Sequence, residues 1–270
     1  MMTRAYRFIL FLSVFILPVL PGCDSSGPGT PEVVEGPTVS VEGGGTAYAW
    51  VRLGSDDQPE AVGASLSKAA YEALTDTGHT HSGNRSIDGR PVTKDEGPVS
   101  FNLPMPDEAP PPYDHVTMLW NPEGHPPGPY VVPHLGMHFF FVSPAEQKAI
   151  KGGPVQTYPA PRYLPEGYAP LSPNVPRLGV NYADTTASEF RGQPFTHTII
   201  YGFHEGKSTF INPMVAADFL SGRPDVTTQL PQPEAYEKAG MYPTRYRVTF
   251  DTETSEYRFV LGNLVQQDGS

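Results

Sequence analysis

Residues 196–211 read Thr-His-Thr-Ile-Ile-Tyr-Gly-Phe-His-Glu-Gly-Lys-Ser-Thr-Phe-Ile. β-branched and aromatic residues dominate on both sides of the central His-Glu-Gly, a pattern typical of two strands joined by a tight turn. Because parallel strands need a long crossover connection, a turn this short implies antiparallel pairing. The stretch therefore predicts an antiparallel β-hairpin.

Six further runs share this strand-like composition, and the turn at 252–255 joins the last two into a second hairpin. Helices are predicted to be few and short, at 67–74, at 143–150 behind a Ser-Pro-Ala-Glu capping box, and at 212–220 behind Asn-Pro. The segment 152–176 contains seven Pro and is predicted to form a long loop. The six strand-like runs are 47–53, 99–103, 115–120, 134–142, 245–250 and 257–264.

The composition points to the same class of fold. Pro and Gly make up 59 of the 270 residues, which excludes a long helical bundle or coiled coil, because Pro is not accommodated inside helices. The 38% hydrophobic content is enough to fill a core. We therefore predict a mainly β fold of the α+β class, an antiparallel β-sandwich or barrel with a few short helices and long Pro-rich loops.

The first 22 residues have the pattern of an export signal. Arg4 and Arg7 precede an apolar run, 8–20, which is shorter than the roughly 20 residues of a membrane-spanning helix. The run leads into Leu-Pro-Gly-Cys23, which resembles the bacterial lipobox, in which the cysteine is acylated. Pro21 departs from the usual pattern, so an ordinary cleaved signal is the alternative. Cys23 is the only cysteine in the sequence, which therefore offers neither a disulfide nor a thiol nucleophile.

The sequence divides into a lipoprotein signal peptide (1–22), a flexible tether (23–45), a single β-rich domain (46–265) and a tail (266–270). The net charge is -11, and it becomes -13 without the signal, which holds two Arg and no acidic residue. So acidic a chain is a poor partner for nucleic acid. We expect an exported domain of the cell envelope, periplasmic or on the outer face, held on the lipid bilayer through acylated Cys23, as a monomer or a homo-oligomer.

Three histidines, His125, His134 and His138, form the densest chemically interesting segment. Imidazole suits a divalent transition metal such as Zn, Cu or Ni. His134 and His138 lie on one face of a predicted strand, but at roughly 3.3 Å per residue their Cα atoms are about 13 Å apart. They could share a metal only if the strand bulged, for which Gly136 is the candidate position. A buried histidine bonded to backbone carbonyls explains His138 equally well.

Five motifs follow one another between residues 120 and 215. In this order they resemble an exported bacterial family of the Thermus type, which is classed as a domain of unknown function. The resemblance covers about residues 46–264 and implies a single, mostly β domain without an established reaction. The motifs are Trp120-Asn-Pro-x-Gly-His125-x-Pro, Pro133-His134-x-x-x-His138-Phe, Val175-Pro-Arg-Leu-Gly179, Phe195-Thr-x-Thr-x-Ile-Tyr-Gly202 and Phe210-Ile-x-Pro-Met-Val215.

The resemblance also implies a metal site. In the family pattern the second motif reads Pro-His-Phe-Asp-x-His-Phe, and later motifs add a further His and a Glu. This chain keeps the three histidines but has Gly136 in place of the Asp, Asn181 in place of the His and Asn212 in place of the Glu. An Asn carbonyl is a weak ligand for the metals that imidazole prefers. The implied site is thus three histidines with Asn181 and Asn212 as neighbours, depleted in its other donors.

These observations leave several functions open. The first is a lipid-anchored extracytoplasmic domain with a non-catalytic role in binding, envelope structure or stress response. The alternative is a metal-dependent enzyme that uses the three histidines, with the metal acting as a Lewis acid or activating water. A third reading is a sugar- or peptide-binding cleft lined by Trp120 and by three tyrosines of the Pro-rich segment, Tyr158, Tyr163 and Tyr168.

Overall fold

The structure is a computed structural model that describes residues 31–76, 99–125 and 128–270, together with the backbone of 85–87 and 90–92. The predicted signal peptide and Cys23 lie outside the described residues. Among the described residues, no helix has both the length and the apolar character needed to cross a membrane.

β-strands are the predominant regular structure of the described chain. In chain order the strands are β1 (Glu32–Glu35), β2 (Val39–Ser40), β3 (Thr46–Leu53), β4 (Pro59–Ser67), β5 (Arg85–Ile87), β6 (Arg90–Val92), β7 (Val99–Pro104), β8 (His115–Asn121), β9 (His134–Phe140), β10 (Tyr168–Pro170), β11 (Val180–Asp184), β12 (His197–His204), β13 (Lys207–Ala216), β14 (Asp225–Gln229), β15 (Gly240–Asp251) and β16 (Glu256–Gln267).

Two seven-stranded sheets contain nearly all of these strands. Sheet I has the order β1-β3-β4-β16-β15-β14, with β2 also paired to β3, and sheet II has the order β10-β11-β12-β13-β9-β8-β7. Every strand pairing in the two sheets is antiparallel. The predicted mainly β, antiparallel sandwich is confirmed.

The main core lies between the two sheets. Sheet I contributes Val51 and Leu261, and sheet II contributes Phe139 and Ile211, to one continuous cluster of buried apolar side chains. Because each strand alternates its side chains between two faces, the other face of sheet II needs a separate cover. A second, smaller cluster provides it.

The second cluster covers the outer face of sheet II. Phe140, Phe210 and Met214 of that face pack against Tyr130 and Phe195, which come from loops. As a result every residue of β9 is buried. Burial on both faces explains why this strand, apart from His134 and His138, lacks the usual alternation of polar residues.

Both predicted hairpins are confirmed. His204 pairs with Lys207, which leaves a two-residue turn of Glu205 and Gly206 between β12 and β13. Both turn residues have positive φ, 49° and 79°, as the turns that match the twist of paired strands require. In the second hairpin Asp251 pairs with Glu256.

Two of the three predicted helices are confirmed. Helix α1 (Lys68–Thr75) is capped by Ser67, and α2 (Pro144–Ala149) begins with the complete capping box. The third prediction is wrong at its start: Asn212 and Pro213 belong to β13, and α3 is a short helix, Ala217–Ser221. Pairing within sheet II prevails over the local capping signal of Asn-Pro.

The folded domain extends further at both ends than predicted. Strands β1 and β2 lie within the segment predicted as a tether, and both pair with β3. The C-terminal tail is also held in place, because the Ser270 amide donates a hydrogen bond to the carbonyl of Tyr236. Pairing with β3 thus brings part of the predicted tether into sheet I.

Candidate functional site

His138 is a buried histidine with a partner on each ring nitrogen. Nδ1 lies 3.3 Å from the carbonyl oxygen of Thr117, and Nε2 lies 3.1 Å from Nδ2 of Asn212. Since a carbonyl only accepts, Nδ1 carries the proton, and Nε2 accepts a hydrogen bond from the Asn212 amide. Burial lowers the pKa of His138 to about 3, so the ring is neutral.

The absence of a side chain at Gly136 leaves room for the contact between His138 and Asn212. A Cβ at this position would lie 2.9 Å from Cε1 of His138 and 3.0 Å from Oδ1 of Asn212. The bulge considered for Gly136 is not present, because β9 pairs with β8 in one register over its whole length. His134 and His138 therefore keep the separation of a straight strand, about 13 Å between Cα atoms.

His134 differs from His138 in having one ring nitrogen without a hydrogen-bond partner. Its Nδ1 donates to the carbonyl of Val132 at 2.8 Å, whereas its Nε2 is buried and has no hydrogen-bond partner. Burial lowers the pKa of His134 to about 4. The ring is therefore neutral at pH 7 and presents a free lone pair.

The structure brings His125 and His134 together and leaves His138 apart from them. The rings of His125 and His134 meet edge to face with their centroids 4.8 Å apart. Asn212 joins His138, while Asn181 lies on β11, separated from β13 by β12, with its Oδ1 unpartnered. Among the described residues, no group of three or more His, Cys, Asp or Glu side chains could hold a metal ion.

A groove of about 650 Å³ opens beside His134. Ala216, which pairs with His134 across the sheet, lines it, and so does Phe195, whose ring lies 6.1 Å from that of His134. We call this cavity the edge groove. Its lining is mostly apolar, with two carboxylates: Pro129, Val132, Pro133, Glu189, Gly192, Gln193, Pro194, Phe195, Thr196, Ala216, Asp218 and Phe219.

Two further polar atoms near the edge groove are buried without a partner. They are Oε1 of Glu189 and the hydroxyl of Tyr130. Burial, and then the charge of Glu189, raise the pKa of Tyr130, which places the carboxylate near the hydroxyl. The Tyr130 hydroxyl is therefore a donor beside the Glu189 carboxylate, which can accept its hydrogen bond.

The predicted aromatic cleft is not formed. Trp120 belongs to the main core, and Tyr168 packs on Tyr201 with centroids 5.2 Å apart. Tyr163 donates a hydrogen bond to the carbonyl of Ser270, and Tyr158 is exposed. The three tyrosines thus have separate roles and share no surface.

Sequence reasoning missed the edge groove. Glu189 and Asp218 lie in segments that carry no motif, and the fold places them beside a loop, 128–133, that is more than fifty residues away in the chain. The only available signal was Val131 and Val132, two adjacent apolar residues in a Pro-rich loop, both of which are exposed.

Comparisons with known proteins add no functional assignment to the geometry of the site. No protein-family model, no curated protein and no solved structure matches this chain. The resemblance to an exported family of unknown function therefore stays a prediction.

Proposed function

We propose that this chain is a lipid-anchored domain of the cell envelope that binds a small ligand in the edge groove without transforming it. The observation that supports the proposal most directly is the edge groove. Its volume, about 650 Å³, falls within the range typical of small-molecule sites, and its apolar walls hold a few polar groups, as such sites do.

The state of His134 and His138 favours binding over catalysis. A general base needs an accessible nitrogen and a pKa near the working pH. His138 has both nitrogens bonded. The Nε2 of His134 has no partner but is buried, and with a pKa of about 4 the ring is a weak base at pH 7. Neither imidazole therefore suits proton transfer at neutral pH.

The proposed anchor would place the domain close to the membrane. Cys23 precedes the first strand residue, Glu32, by nine positions, so even a fully extended chain would separate them by only about 32 Å. We expect the wild-type chain to fractionate with membranes and a Cys23→Ser variant to be released. A Ser26→Ala variant is the matched control. Wild-type protein that is recovered unacylated by mass spectrometry would contradict the anchor.

A ligand screen tests the binding role. We expect at least one small molecule to bind saturably at 1:1 stoichiometry, and we expect Thr196→Trp to abolish this binding, because Thr196 lines the edge groove and a Trp would fill it. Thr252→Trp, in the exposed turn between β15 and β16, is the matched control. Calorimetry measures binding, and product analysis of the same mixtures measures turnover. Robust turnover, or binding that survives Thr196→Trp, would contradict the proposal.

The second candidate is the metal-dependent enzyme. One observation favours it: Nε2 of His134 has no hydrogen-bond partner, and the His134 ring lies against the ring of His125. Two neighbouring imidazoles would supply two of the ligands that a zinc, copper or nickel site needs. Metal analysis after dialysis separates the candidates. A full equivalent that is lost in His134→Ala would favour the enzyme, whereas less than about a tenth of an equivalent would favour the binding domain.

A further inference from the structure

We infer that two copies of this chain pair through strand β14, antiparallel and about a twofold axis at Thr227, so that sheet I continues from one copy into the other. The inference goes beyond the proposed binding role, since no residue of β14 lines the edge groove. Three features of β14 lead to it: backbone groups that point outward, the absence of the protection that the other sheet edges carry, and a sequence that is complementary to itself.

The backbone of β14 has one unpaired side. β14 is the last strand of sheet I, and β15 is its only neighbour among the described strands. The Leu230 amide donates to the carbonyl of Thr244 at 2.8 Å, and the Phe250 amide donates to the carbonyl of Pro224 at 2.9 Å. Because bonded pairs alternate along an antiparallel ladder, the even-numbered residues of β14 bond to β15 and the odd-numbered ones do not. The residues whose N–H and C=O groups point away from the sheet are Asp225, Thr227 and Gln229.

The other edges of the two sheets carry features that discourage pairing with another chain. β1 begins and ends with Glu, β10 has only three residues and ends in Pro170, and β7 ends in Pro104 and lies beside β3. Charge, Pro and short length are common means of protecting a sheet edge. β14 contains no Lys, Arg or Pro, and its single charge, on Asp225, is paired with Arg247 of β15. It is therefore the least protected of these edges.

The sequence of β14 is complementary to itself. An antiparallel pairing centred on Thr227 places this residue opposite its own copy and Asp225 opposite the second copy's Gln229. Each bonded pair exchanges two backbone hydrogen bonds, so the outward groups form roughly six. No like charges face each other, and the Asp225 carboxylate can accept a hydrogen bond from the Gln229 amide. On the inner face Val226 meets Thr228, a pair of β-branched side chains that favours pairing.

Analytical ultracentrifugation of the purified full chain tests the pairing. We expect the average mass to rise from 29.4 kDa toward twice this value as the protein concentration increases to about 1 mM. Thr227→Pro should weaken the dimer at least about tenfold, because it removes the outward N–H at the centre of the pairing from both copies. β15 does not use this N–H, and an edge strand tolerates Pro at such a position.

Substitutions at Gln229 test the register of the pairing. Gln229 is exposed, and by symmetry it faces Asp225 of the other copy twice. Gln229→Lys should therefore tighten the dimer, and Gln229→Glu should weaken it, each by about threefold to tenfold. Thr252→Lys and Thr252→Glu make the same charges in the exposed turn between β15 and β16, and these matched controls should leave the affinity unchanged. Circular dichroism verifies that each variant is folded.

The outcomes decide between this pairing and other arrangements. A chain that stays monomeric at every concentration would overturn the inference, even if a strand of another protein pairs with β14. A dimer that Thr227→Pro does not weaken, or that responds equally to Gln229→Lys and Gln229→Glu, would also overturn it, because its contact would lie elsewhere. The ligand screen is independent of these results, since the edge groove and β14 share no residue.

Discussion

Acidification from pH 7 to pH 4 is expected to lower the free energy of unfolding by about 6 kcal/mol through His134 and His138 alone. Burial lowers their pKa values to about 4 and about 3, whereas an unfolded histidine titrates near 6.5. As the pH falls below 6.5, the unfolded chain therefore binds protons that the folded chain does not. The stability is fully present above pH 6.5 and is lost as the pH falls toward the folded values.

Urea unfolding between pH 7 and pH 4.5 measures this effect. Two linked protons correspond to a slope of roughly 3 kcal/mol per pH unit near pH 5. His138→Gln removes one of them and should lower the slope by about half of this value, while His125 and His197, whose pKa values burial also lowers, keep their own contributions. Met137→Leu, at the neighbouring position in β9, is the matched control, which should shift the stability equally at every pH and keep the slope. A stability independent of pH over this range would show that the two rings are not buried as described.

The second large effect is expected at the centre of the sandwich. Phe139 is fully buried and belongs to the cluster between the two sheets. Truncation to Ala removes its ring and leaves a cavity that a sandwich of paired strands cannot close, so we expect Phe139→Ala to cost about 3–5 kcal/mol. The urea midpoint measures the loss. Tyr158→Ala, at a side chain that is 60% exposed, should stay within about 0.5 kcal/mol of wild type. Equal effects of the two substitutions would contradict the described core.

The strands that were predicted from the sequence share one property: their apolar residues are large or β-branched. β4 was missed because it is built from small residues, with Gly63 at its centre. A Cβ at Gly63 would lie 2.1 Å from the indole ring of Trp50, so this position is selected for space and not for strand propensity. Selection of this kind depends on a neighbouring strand and leaves no local pattern in the sequence.

The candidate site was predicted only in part, for a similar reason. Strand geometry correctly separated His134 from His138, since both lie within β9. The contact between His138 and Asn212 depends on the pairing of β9 with β13. The Asn-Pro pattern instead suggested that Asn212 caps a helix, and only the family resemblance implied Asn212 as a neighbour of the histidines. The edge groove depends on three segments that meet only in the folded chain, so none of its carboxylates could be recognised beforehand.

Chemical-shift mapping of the labelled protein with the tightest ligand from the screen tests the central claim most directly. If the edge groove is the binding site, the largest changes will occur at the backbone amides of Val132, Thr196 and Phe219, which lie around it. The amides of β1 and β3 should change little, because none of their residues lines the groove. Changes centred on sheet I, or no localised changes at saturation, would contradict the account.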